Sequence, residues 1–288
     1  MTLTYDYTGE AFDAVVVLHA RKGAASLRTF TRRYPGRPSV LALTGTDLYH
    51  DIATSAAAQR SLQLASRLLV LQSEGIAALP RGVRAKARVI YQSVALPGYY
   101  ARAASKHCRV LFVGGLRVIK DPFRVAYAVR TLPQASGIRV LAIGPAYSGW
   151  YESRARAEML RNPRYRWRGE APHARVLRAI EQSDVVVVSS RNEGGANVIA
   201  EAIVAGVPLL ASDMPGNRGM LGADYGGYFP VGDTVRLRDL LVRAETERAF
   251  VARLRTQCRE RAKLFTPQRE RAAWKALLSE ILPKRAFD

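Results

Sequence analysis

This chain has few cysteines, fewer acidic than basic residues, and no long apolar run. The 288 residues include only two cysteines, Cys108 and Cys258, which lie far apart in the sequence. They form neither a disulfide framework nor a metal-ligand cluster, so a reducing compartment is the default. An Asp-x-Asp motif is missing as well. The sequence therefore predicts that the protein needs no metal and no cofactor.

The missing apolar run argues against a membrane-spanning helix, which needs about 20 consecutive apolar residues. The N-terminal stretch MTLTYDYTGE also lacks the apolar core of a signal peptide. Apolar residues still make up 48% of the chain, which is enough for packed cores and argues against disorder. We therefore expect a cytoplasmic protein that binds no membrane, with one large domain or two of ordinary size.

Lysine and arginine outnumber aspartate and glutamate by 44 to 24, which gives a net charge of +20. This charge favours an anionic partner, such as nucleic acid, an anionic membrane surface or a small anionic substrate. The basic residues are scattered over segments such as 32–37, 81–88 and 255–263, each of which is also typical of a solvated helix face or loop. No zinc finger, basic zipper or aromatic–basic RNA-binding pattern accompanies them, so we predict no nucleic-acid partner.

Short apolar runs alternate with helical stretches, a pattern that predicts parallel sheets covered on both faces. The predicted strands lie at 13–20, 39–45, 67–73, 88–93, 109–115, 138–144, 164–169, 184–190 and 207–212. A polar, small-residue break at 95–108 separates the first four strands from the others. We therefore expect two α/β units. Ligands of such sheets bind beyond the carboxyl ends of the strands. If two such units face each other, we expect a ligand cleft between them.

The stretch SRNEGGANVIAEAIVAGVPLLAS, residues 190–212, contains a candidate ligand site. It follows a predicted strand, and Gly194 and Gly195 allow the backbone to approach a ligand and to adopt conformations closed to other residues. A helix predicted to begin near residues 196–197 has free N–H groups and a dipole that suit a phosphate. Glu201 lies one turn inside this helix, and a carboxylate is a good acceptor for paired sugar hydroxyls. An ordinary strand–turn–helix with Glu201 on its surface has the same pattern.

A second candidate stretch, FVGGLRVIKDPFRVAYAV at 112–129, is a strand, a glycine turn and basic residues before a helix. Arg117 and Lys120 are candidates to clamp a diphosphate, whose negative charge needs compensation when it leaves solvent. Surface charge beside a tight turn is the alternative interpretation of the same residues.

The Glu-x7-Glu spacing of Glu193 and Glu201 resembles the donor site of GT-B glycosyltransferases, especially those of family 4. In that family the second Glu holds the ribose of a nucleotide-sugar, and the first Glu and the adjacent backbone contact the sugar. The resemblance implies these roles for Glu201 and Glu193. The other residues that it places at the donor site are Gly114, Gly115, Gly194, Gly195, Ala196 and Asn197.

The family's glycine turn carries an arginine directly after its first glycine, where this chain has Gly115. A lysine follows further on, and Lys120 matches it. Arg117 is the candidate substitute for the arginine. The resemblance therefore implies that Lys120, Arg117 and Glu193 are the catalytic residues.

Seven stretches taken together resemble the selenosugar synthase (SenB) family of selenoneine biosynthesis, and they are more specific than the two glutamates. They are LHARKGAASLRTF, LTGTDLYHD, LPRGVRAKARVIYQS, LRVIKDP, RWRGE, EGGANVIAEA and GNRGMLGADYGGYFP. Members of that family join selenophosphate to the sugar of a UDP-sugar, which creates a carbon–selenium bond. The resemblance implies that this chain does the same, with UDP-glucose or UDP-GlcNAc as donor.

Polar residues after the strands of the first domain are candidates for the acceptor side. They are His19, Arg21, Thr44, Gly45, Thr46 and Asp47. Thr and Asp are also strong helix N-caps, so the same residues in LTGTDLYHD are typical of a helix start. A single His near a strand end is also commonly just a hydrogen-bonded residue.

The resemblance implies a GT-B fold, in which two Rossmann-like domains enclose an interdomain cleft. Members of the family begin with an extra strand, loop and helix, whereas this chain starts at what matches their second strand. We therefore expect the first domain to lack its first strand–helix unit, and to expose an edge and an apolar face. The predicted parts are an acceptor domain at 1–100, a donor domain at 105–265 and a helical tail at 266–288. Residues 216–230 are predicted to be an irregular, glycine-rich loop.

In this scheme the barrier is cleavage of the anomeric C–O bond through an oxocarbenium-like state. Lys120, Arg117 and the helix start near residues 194–197 are expected to stabilise the charge of the departing UDP. Two other functions remain open. An ordinary family-4 hexosyltransferase with a hydroxyl acceptor would share the second domain and need a general base in the first. A basic nucleic-acid-binding protein would show a steep salt dependence of binding.

Overall fold

A computed structural model of the protein describes residues 2–96 and 105–282, which form two compact units. The first unit comprises Met1–Ser93, Glu193–Gly195 and Pro267–Asp288, and the second comprises Val94–Asn192 and Ala196–Thr266. Part of the predicted break, and the predicted boundary at residue 100, lie outside the described residues. Among the described helices, none has the length and apolar character needed to cross a bilayer.

The first unit is built on a parallel sheet with the strand order β1-β2-β3-β4. Its strands are β1 (Val15–Leu18), β2 (Ser39–Ala42), β3 (Arg67–Val70) and β4 (Ala87–Val89). Its helices are α1 (Ala24–Arg33), α2 (Ile52–Thr54), α3 (Ala56–Leu64) and α11 (Pro267–Ile281), with a π-helical turn at Asp47–Asp51 and 3₁₀ turns at Ser73–Gly75 and Arg81–Lys86. The four predicted strands of the first domain are therefore confirmed, each slightly shorter than predicted.

Alternate residues of the first sheet enter two different cores, as the pleat of a strand requires. Leu41 and Leu68 pack with α1 and α3 on one face. Val40, Ala42 and Leu69 point the other way, where they pack with side chains of α11. The helical tail predicted at 266–288 thus covers the second face of the first sheet in its described part.

Removal of the Leu277 side chain is expected to lower the free energy of unfolding of the first unit. Leu277 is only 2% exposed and packs on Val40 and Leu69. We expect Leu277→Ala to cost about 2–5 kcal/mol, because it removes buried methyl groups and leaves a cavity. Urea denaturation of the full chain measures this cost. The control is Leu160→Ala, since Leu160 is 90% exposed. Equal effects of the two substitutions would show that α11 contributes little packing.

The strand β1 leaves part of one sheet face uncovered. Val16 and Leu18 are 44% and 62% exposed, whereas Val17 between them is buried. In the described residues β1 pairs with β2 alone. The expectation of an exposed edge and an apolar face in the first domain is therefore confirmed at this strand.

The second unit contains a parallel sheet with the strand order β10-β9-β8-β5-β6-β7. Its strands are β5 (Arg109–Val113), β6 (Arg139–Ile143), β7 (Tyr165–Trp167), β8 (Val185–Val188), β9 (Leu209–Ser212) and β10 (Tyr228–Phe229). Its helices are α4 (Arg124–Arg130), α5 (Gly149–Arg161), α6 (His173–Glu181), α7 (Asn197–Val204), α8 (Pro215–Leu221), α9 (Thr234–Thr246) and α10 (Arg248–Ala262), with 3₁₀ turns at Val118–Lys120 and Lys263–Phe265. Both sheets are parallel, so the predicted α/β class is confirmed.

The chain reverses its direction of travel across the second sheet at β5. From β5 it moves outward to β6 and β7, and it then returns to the other side of β5 to form β8, β9 and β10. Val110 of β5 accordingly pairs with Val140 on one side and Val185 on the other. Such a reversal is where open α/β sheets bind ligands, beyond the carboxyl ends of the two strands that flank it.

Residues 216–230 differ from the irregular loop that the sequence predicts. They contain most of the helix α8 and the short strand β10. Gly216 and Gly219 are buried within α8, so small residues here allow the helix to pack closely. The prediction failed because glycine is a weak helix former, and tertiary packing outweighs that preference at this position.

Candidate functional site

Two loops meet at the reversal point of the second sheet. One follows β5, and the other follows β8, which is its neighbour in the sheet. The hydroxyl of Ser189 donates to the carbonyl oxygens of Lys120 at 3.2 Å and Asp121 at 2.9 Å. The backbone N–H of Arg191 donates to the carbonyl oxygen of Ile119 at 2.8 Å. These bonds tie the two loops together, so the predicted phosphate-binding turn is held by the strand end beside it.

The glycine turn after β5 does not depend on an unusual backbone angle. Neither Gly114 nor Gly115 has a positive φ. A Cβ on Gly115 would lie 2.4 Å from the ring of Tyr147. The chain then pairs Leu116 with Ala146, so the loops after β5 and β6 run side by side. The ring of Tyr147 therefore occupies the place where any side chain at position 115 would begin.

Arg117 lies against the same tyrosine. Its guanidinium carbon is 5.2 Å from the centroid of the Tyr147 ring, which is within cation–π range. Tyr147 is 63% exposed, so the pair stands at the surface of the second unit. The ring lies where a side chain at position 115 would begin, and it contacts Arg117, which is the predicted substitute for an arginine at that position.

Lys120 ends a short 3₁₀ turn above Gly114. Its Cδ lies 3.6 Å from where a Cβ on Gly114 would be, so the side-chain stem runs over the glycine turn. Asp121 follows with φ of +43°, a left-handed conformation that is uncommon for a non-glycine residue. Its carboxylate pairs with Arg124 at 3.0 Å and with Arg191 at 3.7 Å. These contacts support the left-handed conformation of Asp121 and fix the position at which Lys120 leaves the turn.

The helix α7 carries Glu201 on its buried side. Val198, Ile199 and Ala202 are buried, and Gly206 follows the end of the helix with φ of +70°. Glu201 is only 7% exposed. Its Oε1 lies 2.8 Å from Nε2 of His173, the first residue of α6. The interpretation of Glu201 as a surface residue is therefore wrong, because its carboxylate is buried and has a specific partner.

Gly194 and Gly195 do not need the unusual backbone conformations expected of them. Both have negative φ. They are instead required by close packing within the first unit. A Cβ on Gly194 would lie 2.3 Å from the carbonyl oxygen of Thr44, and a Cβ on Gly195 would lie 2.7 Å from Cβ of Leu71. The structure thus brings Gly194 next to two predicted acceptor-side residues, Thr44 and Gly45.

Asp47 connects several of the predicted acceptor-side residues through hydrogen bonds to its carboxylate. Its carboxylate is fully buried and accepts from the backbone N–H groups of Ala20 at 2.8 Å, Thr44 at 2.9 Å and Gly45 at 2.9 Å. It therefore ties the loop after β1 to the loop after β2. The helix-cap interpretation is wrong in its details, since Thr46 makes no capping bond and Asp47 accepts from residues that precede it. Both carboxylate oxygens are thus engaged.

His19 and Arg21 are held in the same region by Asp51. Nδ1 of His19 accepts from the backbone N–H groups of Arg21 and Lys22, both at 3.3 Å, which leaves the proton on Nε2. That Nε2 lies 3.7 Å from Oδ2 of Asp51, and Nε of Arg21 lies 2.8 Å from the same oxygen. The hydrogen bond from Arg21 is the main reason that the pKa of Asp51 lies below its ordinary value, even though burial opposes the shift.

Each unit thus holds its own group of the predicted site residues. The second unit brings together the turn at Gly114 and Gly115, Arg117 and Lys120, and it carries Ala196, Asn197 and Glu201 on and beside α7. The first unit groups Glu193, Gly194 and Gly195 with the loop at 44–47, and it holds His19 and Arg21 beside Asp51. Within residues 2–96 and 105–282, no three His, Cys, Asp or Glu side chains are placed to hold a metal ion. That no metal or cofactor is needed stays a prediction.

Several residues of these groups were missed by the sequence reasoning. They are Asp51, Asp121, Tyr147, His173, Ser189 and Arg191. Most act through contacts between loops that are far apart in the chain, so no local spacing marks them. Asp121 had a weak local signal, because it stands directly before the proline that precedes α4.

A family model described as "Glycosyl transferases group 1" matches residues 102–265, more than half of the chain. The fold is similar to that of sucrose-phosphate synthase from Thermosynechococcus elongatus, with a TM-score of 0.77 and 19% identity over 93% of this chain and 73% of that one. It is also similar to Anabaena HepE in complex with UDP and glucose, with a TM-score of 0.76 and 17% identity over 93% of this chain and 78% of that one.

A third similar structure is the trehalose-6-phosphate synthase OtsA, with a TM-score of 0.72 and 13% identity over 94% of this chain and 72% of that one. At such low identities the likeness concerns the fold alone. It confirms the predicted GT-B type of α/β fold.

Proposed function

This chain belongs to the group 1 glycosyltransferases, and from that premise we propose that it transfers a sugar from a UDP-sugar to selenophosphate. The selenium atom attacks the anomeric carbon and forms a C–Se bond, while the anomeric C–O bond breaks and UDP leaves with its electron pair. Water then cleaves the P–Se bond, which releases phosphate and leaves a selenosugar.

The observation that carries the donor part of the proposal is the buried carboxylate of Glu201 beside the reversal point of the second sheet. A carboxylate that is 7% exposed and held on one oxygen is well placed to accept from the paired hydroxyls of a ribose. The Anabaena HepE structure, which has a similar fold, is of a complex with UDP and glucose. We therefore assign the ribose of the donor to Glu201, with Ala196 and Asn197 at the start of α7 beside it.

The diphosphate is assigned to the turn after β5. The side chain of Lys120 extends over Gly114 in that turn. Arg117 is held at the same turn by Tyr147. Two cations there would stabilise the charge that develops on UDP as the anomeric bond breaks. Contact with the sugar is proposed for Glu193, Gly194 and Gly195.

Selenophosphate suits the first unit because selenium needs no general base. An anionic selenium atom is already a good nucleophile, whereas a hydroxyl acceptor has to lose a proton. The carboxylates of Asp47 and Asp51 are bonded to backbone N–H groups and to Arg21, which argues against either as that base. We propose that Arg21, His19, Thr44 and the loop around Gly45 and Thr46 bind the anion instead. The net charge of +20 would attract it.

Mass spectrometry of the products tests this function. The enzyme is incubated with selenophosphate and either UDP-glucose or UDP-GlcNAc, and matched reactions contain orthophosphate in place of selenophosphate. We expect release of UDP and a sugar product with the isotope pattern of selenium only when selenophosphate is present. Release of UDP with sugar or lipid hydroxyl acceptors, and none with selenophosphate, would identify an ordinary hexosyltransferase.

A further inference from the structure

We propose that His173 is a positioning residue for the donor, which fixes the carboxylate of Glu201 for the ribose hydroxyls. This inference rests on the proposed function and adds a residue to its donor site. His173 lies in a segment with no local signal for a nucleotide site, and it reaches Glu201 across 28 positions of sequence.

The contact joins two packed helices. The helix α6 begins at His173, directly after Pro172, and it packs against α7, which carries Glu201. The side chain of His173 is 69% exposed and that of Glu201 is 9% exposed, so the imidazole lies on the solvent side of the carboxylate. The geometry therefore places His173 at the open side of Glu201, from which a ligand has to approach.

The direction of the hydrogen bond follows from the chemistry of the two groups. A carboxylate only accepts, so Nε2 of His173 carries the proton and donates to Oε1 of Glu201 at 2.8 Å. With one oxygen fixed, the other oxygen of Glu201 has a defined direction and accepts from the ribose. A carboxylate that is already ordered loses less rotational freedom when the ligand binds, and this raises affinity.

A purely structural role would have a different signature. If His173 only compensated a buried charge, its loss would destabilise the fold and would weaken every nucleotide ligand alike. If it positions Glu201 for the ribose, its loss would matter only for ligands that carry ribose hydroxyls. UDP and 2′,3′-dideoxy-UDP separate these cases, because they differ only in the groups that Glu201 is proposed to hold.

Calorimetry with both nucleotides is the experiment, with His173→Ala, His173→Gln and the control His107→Ala. His107 is an exposed histidine of the second unit. We expect His173→Ala to weaken UDP about tenfold, the usual scale for a hydrogen bond to a charged group. Binding of 2′,3′-dideoxy-UDP should stay as in the wild type. His173→Gln should recover most of the loss, because its amide also offers an N–H donor at the end of the side chain.

Kinetics provide a second readout on the same proteins. His173→Ala should raise KM for the UDP-sugar and leave kcat nearly unchanged, since the ribose is bound equally in the ground and transition states. Equal losses for both nucleotides, no loss for UDP, or no recovery with His173→Gln would overturn the inference. A wild-type protein that binds no UDP would instead overturn the proposed function, and the inference with it.

Discussion

Lys120→Ala is expected to lower kcat by about 100- to 1,000-fold, the range found when one donor to a developing anion is removed. The reason is that charge grows on the diphosphate as the anomeric bond breaks, so a cation there acts mainly in the transition state. The KM for the UDP-sugar should rise much less. Steady-state kinetics with varied UDP-sugar and fixed acceptor measure both constants.

The matched control is Lys263→Ala, which removes an exposed lysine of the same unit. It should leave both constants unchanged. A raised KM with an unchanged kcat in Lys120→Ala would mean that Lys120 binds only the ground state. We expect a large effect of Lys120→Ala on kcat because the position of Lys120 is well defined. Its backbone carbonyl accepts from Ser189, and its side-chain stem lies over Gly114.

Glu201→Ala should weaken UDP and UDP-sugar alike, because both carry the ribose. Loss of a charged hydrogen-bonding partner costs about 1.5–3 kcal/mol, or about 10- to 150-fold in affinity. Calorimetry with UDP measures this loss. The control is Glu260→Ala, which removes an exposed carboxylate from α10. Unchanged UDP affinity in a folded Glu201→Ala protein would remove Glu201 from the donor site.

The strands were predictable because each is a short apolar run between helical stretches. The nine predicted strands are all present, from β1 to β9. The tenth, Tyr228–Phe229, is only two residues long, and nothing in its local pattern marks it as a strand. Sequence periodicity predicts an element when the residues of that element show a regular apolar pattern. It does not predict a two-residue strand such as β10, which is defined by its pairing with β9.

The candidate site, like the fold, was predictable where the signal is local in the sequence. The residue types and spacing at Gly114, Lys120 and Glu201 are local patterns, so their proximity to strand ends could be predicted. The contacts that orient them are not local. Ser189 reaches Asp121 across 68 positions, and this pairing depends on β5 and β8 being neighbours in the sheet. The partner of Glu201 likewise required the packing of α6 on α7.

The position of α11 has a consequence for synthesis of the protein. The first unit needs α11 to cover Val40, Ala42 and Leu69, yet the whole of the second unit is translated before this helix. At about 5–20 residues per second, that apolar face of the nascent chain stays open for on the order of tens of seconds. The second unit is almost continuous in sequence, so it can fold while translation of the chain continues. A nascent chain that stalls before Pro267 would therefore expose an apolar surface on its first unit and become a substrate for chaperones.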